Sequence, residues 1–319
     1  MSGDTVSGAA QQPKEPQELT MPEEFRVPVV GGDLAVLRWP ADRPDAPVAL
    51  ALHGITANGL CWGPVAEQLA GRVTLVAPDL RGRGRSAGIQ GPFGVDAHAD
   101  DVAALVAALD LPDVVLTGHS MGAFVAALAA VRHPALVRRL LLVDGGVGFP
   151  LPTGLDPDEL LTSVLGPAMA RLSMTFPDRA AYRAFWRRHP AFGGCWSPWV
   201  DAYTQRDLVG AEPELRSSCR LDAVRADGMG QFDPEVLGAV HRLPGRDELP
   251  WVELLWAERG LMDEPQGLYD EQRLTDAALD RERVVPRLVP DTNHYTVLIG
   301  AEGAAAVARR LLAAAGVEG

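Results

Sequence analysis

Lysine is almost missing from this chain. Lys14 is the only one, and arginine supplies the rest of the positive charge. The 29 basic residues face 42 acidic ones, for a formal net charge of -13. Nucleic-acid binding needs a basic patch, so no nucleic-acid partner is expected. Cysteine is scarce too: Cys61, Cys195 and Cys219 are the only three. An odd count at wide spacing suggests neither a disulfide framework nor a zinc site, so all three are read as reduced thiols. No apolar run reaches the roughly 18 residues that span a bilayer, so no membrane partner is expected. The N-terminal stretch "MSGDTVSGAAQQPKEPQELTMPEE" lacks an apolar core, so no secretory signal is expected, and the location predicted is cytoplasmic. A Walker lysine and a G-x-G-x-x-G after a strand are also missing, and there is no metal-ligand spacing. No cofactor and no metal are expected.

Apolar residues make up 47% of the 319, enough for a sizeable core in one large domain or one domain with an inserted lobe. Residues 1–22, rich in Gly, Pro, Gln and Ser, read as a flexible tail. Two alternating segments around Gly31-Gly32 then predict a hairpin. Short apolar runs follow, among them "VALALHG", "VTLVAPD", "VVLTGHS" and "RLLLVDGG". They lack alternation, as strands covered on both faces do. Alanine- and leucine-rich stretches at helical spacing separate them. Strand, helix, strand, helix predicts an α/β domain whose mostly parallel sheet is flanked by helices. The alternation stops after Asp144 and resumes at "WVELLWA". Between them the chain is helix-like and aromatic-rich. The expected organisation is a core of residues 23–148 and 246–319, with an inserted all-helical cap over 149–245.

"TGHSMGA" lies where the strand "DVVLT" gives way to a helix. A sharp strand-to-helix turn holds its central residue in a strained backbone conformation. A side chain at position 118 or 122 would collide there, and glycine avoids the collision. Such a turn lifts the Ser120 hydroxyl clear of the sheet. It leaves the Met121 N–H at a helix start, aimed at whatever the hydroxyl attacks. A helix N-cap serine is the plainer alternative.

With "LALHGITANGLCW", "VAPDLRGRGRSAG" and "PDTNHYTVL" in the same order, this segment makes the chain resemble the α/β-hydrolase fold superfamily. The likeness covers roughly residues 25–315 and is to serine-nucleophile members with a helical cap. It implies a Ser-His-Asp triad and an acyl-enzyme. Of the seven histidines, the family order points to His294 as the base. His119, next to the serine, is expected to point away and pack. The oxyanion-hole donors implied are the backbone N–H groups of Ile55 and Met121, with Thr56 as the neighbour that could replace Ile55. His53 either shapes that loop or is a satisfied buried histidine. "DLRGRGRS" is implied to be a structural turn in which Asp79 pairs with a nearby arginine.

The acid departs from the pattern. Most of the family carry it after the strand that follows the cap, where this chain has Gly260. Asp144, at the end of the preceding strand, comes first by position and reach. Asp263 and Glu258 are the alternatives. Ser120 excludes branches that need an aspartate nucleophile. What remains is hydrolysis of an ester, lactone or thioester of a small apolar molecule. C–C bond hydrolysis of diketone-like substrates and a catalytically silent small-molecule-binding protein stay open. Trp196, Trp199 and Phe124 are the pocket candidates. The partner expected is a small-molecule substrate. The sequence leaves the oligomeric state open.

Overall fold

The computed structural model describes residues 19–111, 113–148 and 156–317. Of the tail expected over residues 1–22, residues 1–18 lie outside the described ones. Eight strands form one sheet: β1 (Glu23–Val29), β2 (Gly32–Trp39), β3 (Val48–Leu52), β4 (Thr74–Pro78), β5 (Val114–His119), β6 (Val137–Val143), β9 (Trp251–Arg259) and β10 (Val285–Asn293). Their order is β1-β2-β4-β3-β5-β6-β9-β10. β1 pairs with β2, and β2 with β4, in antiparallel fashion; every other pairing is parallel.

The unalternating apolar runs are explained by what covers them. Leu50 and Leu52 face one buried cluster, and Ala49 and Ala51 face the other. Helices α2 (Val95–Ala108) and α3 (Met121–Arg132) supply the first cluster. Helices α1 (Gly63–Leu69) and α12 (Ala301–Ala314) supply the second. The chain runs from β3 to β4 on one side, then returns past β3 to β5. That reversal puts a crevice beyond the strand ends of β3 and β5, the usual ligand position in open α/β sheets.

Between β6 and β9 lie α4 (Pro157–Leu165), α5 (Pro167–Ala170), α6 (Arg179–Arg187), α7 (Pro198–Arg206), α8 (Leu221–Gly230) and α9 (Pro234–Leu237). The sequence gives no strand here, yet β7 (Leu208–Val209) and β8 (Arg216–Ser217) pair antiparallel. Two residues per strand are too few for a periodic signal. Residues 149–155 of this insertion lie outside the described residues. Helices α10 (Glu271–Asp276) and α11 (Thr296–Ile299) complete the chain. Among the described residues no helix is long and apolar enough to cross a membrane.

Candidate active site

Ser120 stands between β5 and α3 with φ 55° and ψ -123°. An L-residue held there stores about 1–3 kcal/mol of backbone strain, so the surroundings must over-determine it. They do. The Ser120 N–H donates to Val143 O at 3.0 Å, and Ser120 O accepts from the Ala123 N–H at 2.9 Å. A Cβ on Gly118 would fall 2.6 Å from Ala123 N, and one on Gly122 would fall 2.8 Å from His53 O. Both glycines are there for clearance. Gly145, after β6, is a third that the sequence reading missed: its Cβ would lie 2.8 Å from Ser120 Cα.

His294 follows β10. Its Nδ1 lies 2.6 Å from Asp144 Oδ2, and both side chains are buried. Asp144, at the end of β6, has φ 44°. Its other oxygen accepts from the Ala257 N–H at 3.0 Å, and its own N–H donates to Leu255 O at 2.7 Å. Neighbouring β9 therefore sets the aspartate in place. With Nδ1–H given to Asp144, the Nε2 lone pair is free for a proton. Ser120 and His294 line the same cavities, with no direct hydrogen bond between them.

The other carboxylates are engaged elsewhere. Asp263 accepts from Arg259 Nε at 2.7 Å and from Asn293 Nδ2 at 2.9 Å. Glu258 accepts from the Asp291 N–H at 2.8 Å. At Gly260 a Cβ would meet the Gln266 carbonyl at 2.9 Å and crowd the Glu264 carboxylate. The tight turn that replaces the family's aspartate has no room for one.

His119 corrects the expectation that it points away. Its Nε2–H donates to the His294 carbonyl at 2.8 Å, and the two rings lie 4.7 Å apart. Burial, then the neighbouring His294, holds its pKa well below the ordinary histidine value, so the ring is neutral.

The loop after β3 is fixed from behind. His53 Nε2 accepts from the Leu80 N–H, and Nδ1–H donates to Gly54 O, both at 2.8 Å. Burial lowers its pKa to about 4, so the neutral tautomer persists. A trans peptide points its C=O and N–H in opposite directions, so pinning Gly54 O aims the Ile55 N–H away from His53. The two readings of His53, loop shaper and satisfied buried group, describe one residue. Arg83 Nε donates to Ile55 O at 2.8 Å, and Arg171 Nη2 donates to Thr56 O at 2.6 Å. The carboxylates behind those arginines come from the insertion: Asp227 pairs with Arg83, and Asp207 with Arg171. Among the described residues the Ile55 and Met121 N–H groups have no acceptor. Asp79 pairs with Arg206 of the insertion at 2.7 Å and accepts from the Arg85 N–H of its own turn at 2.7 Å.

Two cavities meet at Ser120 and His294. The larger, about 350 Å³, is lined by Phe124, Leu161, Leu165, Phe232 and Leu237, with Arg273 the only lining Lys or Arg among the described residues. The smaller, with only about 30 Å³ of free space, is lined by Ile55, Thr56, Cys61, Tyr203 and Tyr295. Phe124 lines the larger cavity, and neither Trp196 nor Trp199 lines either one. The Arg187 guanidinium lies 4.8 Å from the Trp196 ring centroid. Trp199 packs on Gly63 and donates from Nε1 to Glu67 at 3.0 Å. Aromatic content marks a buried region without saying which face meets ligand.

A family model described as "Alpha/beta hydrolase family" matches residues 49–310. An N-formylmaleamate deformylase of Pseudomonas putida is 39% identical over 217 residues, which cover 64% of this chain and 79% of that protein. A 2-(acetamidomethylene)succinate hydrolase of Mesorhizobium japonicum is 35% identical over 103 residues, 32% of this chain and 37% of that protein. An uncharacterized protein of Mycobacterium tuberculosis is 41% identical over 102 residues, 32% of this chain and 30% of that protein. The chain thus spans about a third of the length of these last two relatives. The crystal structure of an E-2-(acetamidomethylene)succinate hydrolase superposes with a TM-score of 0.72, at 23% identity, over 92% of this chain and 98% of that one. That likeness is one of fold. Through the match over residues 49–310, this chain belongs to the alpha/beta hydrolase family.

Proposed function

We propose that this protein is a serine hydrolase that transfers an acyl group to water through an acyl-enzyme. The observation that carries the reading is the 2.6 Å bond between His294 Nδ1 and Asp144 Oδ2, beside a serine held at positive φ in the same cavity. Ser120 Oγ attacks the carbonyl carbon and His294 Nε2 takes its proton. Asp144 holds the ring in the right tautomer and stabilises the imidazolium. The tetrahedral oxygen is received by the Ile55 and Met121 N–H groups. His294 then protonates the leaving group, and a water deprotonated by the same nitrogen hydrolyses the ester on Ser120.

The larger cavity suits an apolar substrate of moderate size, an ester, lactone or thioester, under a cap formed by the insertion. The deformylase among the relatives favours a second reading, hydrolysis of an activated amide by the same groups. Labelling with a fluorophosphonate, located by peptide mass spectrometry, tests the first step for either bond. An adduct on Ser120, lost in Ser120→Ala, is expected. Folded wild-type protein that takes no label and turns over no activated ester would be a binding protein of this fold instead.

A further inference from the structure

The chain has four tyrosines. The Tyr182 hydroxyl bonds Asp207 and Arg171. The Tyr269 hydroxyl donates to Val147 O at 2.8 Å. The other two, Tyr203 and Tyr295, have no hydrogen-bond partner for their hydroxyls among the described residues, and both line the smaller cavity at Ser120. Thr56 lines it as well, and its hydroxyl is equally unpartnered. Tyr203 is 5% exposed and Thr56 8%. Other unpaired polar atoms, such as the Nε1 of Trp39, Trp62 and Trp186, are sealed in the interior, whereas these three residues line one small cavity. Buried polar groups are hydrogen-bonded, and one left without a partner costs about 1–3 kcal/mol.

We propose that Thr56, Tyr203 and Tyr295 form a polar subsite that takes a small, uncharged, oxygen-bearing group next to the scissile carbonyl. The proposal rests on Ser120 being the nucleophile. An alkyl group in this space would leave the hydroxyls unpaired, so it is selected against. A carboxylate would be buried without a counter-charge, because among the described residues no Lys or Arg lines the smaller cavity and Arg171 behind it is spent on Asp207 and Thr56 O. Burial pushes both phenols up, Tyr295 to about 12, so they stay protonated and donate. The substrate is then two-sided: an apolar half against Phe124 and Leu165, and a compact polar half against the tyrosines.

The test uses two isosteric ester pairs that differ by one oxygen for one methylene. On the alcohol side these are butyl and 2-methoxyethyl hexanoate. On the acyl side they are hexyl butyrate and hexyl methoxyacetate. The ratio of kcat/KM within each pair is measured for the wild type and for the Tyr203→Phe, Tyr295→Phe double variant. Comparing the proteins cancels the intrinsic reactivity of the esters. The expected result is a preference for the oxygen-bearing member that drops about fivefold or more in the double variant for one pair, the loss of one net hydrogen bond. Ratios unchanged within about twofold for both pairs, with Ser120 still labelled by the fluorophosphonate, would mean that only water occupies the space, and the proposal would be overturned. No Ser120 adduct in the wild type would instead remove the nucleophile reading, and the subsite with it.

Discussion

In the sheet, functional groups sit at strand ends: Ile55 after β3, Ser120 after β5, Asp144 after β6 and His294 after β10. Backbone hydrogen bonds and glycine clearance put them there. In the insertion, position depends on side-chain charge. Asp207 holds Arg171 and Asp227 holds Arg83, all four nearly or fully inaccessible to solvent. Both arginines end on carbonyls of the loop after β3. The sheet places the groups proposed to react, and the insertion braces the loop behind one of them. A backbone-set group tolerates little change in shape. A charge-set group tolerates shape change but little change in protonation or pairing.

That contrast can be broken by experiment. The largest effect is expected at the strand-end acid: Asp144→Asn should lower kcat about 10⁴-fold, while Asp263→Asn stays within about tenfold. Steady-state kinetics on an activated ester would decide, and the reverse ranking would move the acid to β9. Next, Arg171→Met should destabilise the fold by about 3–5 kcal/mol, since it leaves Asp207 buried and unpaired. The additional change Asp207→Asn should recover part of that loss, read as the denaturant midpoint. A loss that the second change leaves untouched would show that packing, not charge, holds the insertion. Smaller again is the effect of acid. His53 has its pKa depressed in the fold, so the unfolded chain binds the extra proton. Its contribution is therefore complete above the unfolded value of about 6.5 and falls away as the pH drops toward about 4. Melting temperatures taken across that window should fall more steeply in the wild type than in His53→Gln. Least is expected from Trp196→Ala, within about twofold in kcat/KM, a change typical of a surface site away from the cavity. A loss as large as that of Phe124→Ala would return Trp196 to the pocket.

The same contrast explains what could be read in advance. Ser120 stands out in the sequence because a strand end, a turn and a helix start are local patterns, and His294 only through the order of motifs that the resemblance implies. For the acid, position and reach put Asp144 ahead of Asp263 and Glu258, but the partners that occupy Asp263 and Glu258 are contacts only the fold shows. The direction of the His119 ring is not legible, because it depends on how the chain after β10 folds back over the turn at Ser120. The pairs Arg171–Asp207 and Arg83–Asp227 join residues 36 and 144 positions apart, with no periodicity between them to reveal the contact. Tyr203 and Tyr295 were invisible for a related reason: a sequence does not show which hydroxyls lack a partner.

The two braced carbonyls bear on any attempt to re-engineer the pocket. The roof over Ser120 invites exchange, since it enters and leaves the sheet at neighbouring strands, β6 and β9. A transplanted roof without Asp227 would strand Arg83, and one without Arg171 would release the Thr56 carbonyl. Such a chimera would inherit a serine already in position and a peptide free to turn its N–H away. Portability of specificity in this scaffold is therefore limited by four charged side chains that line neither cavity at Ser120.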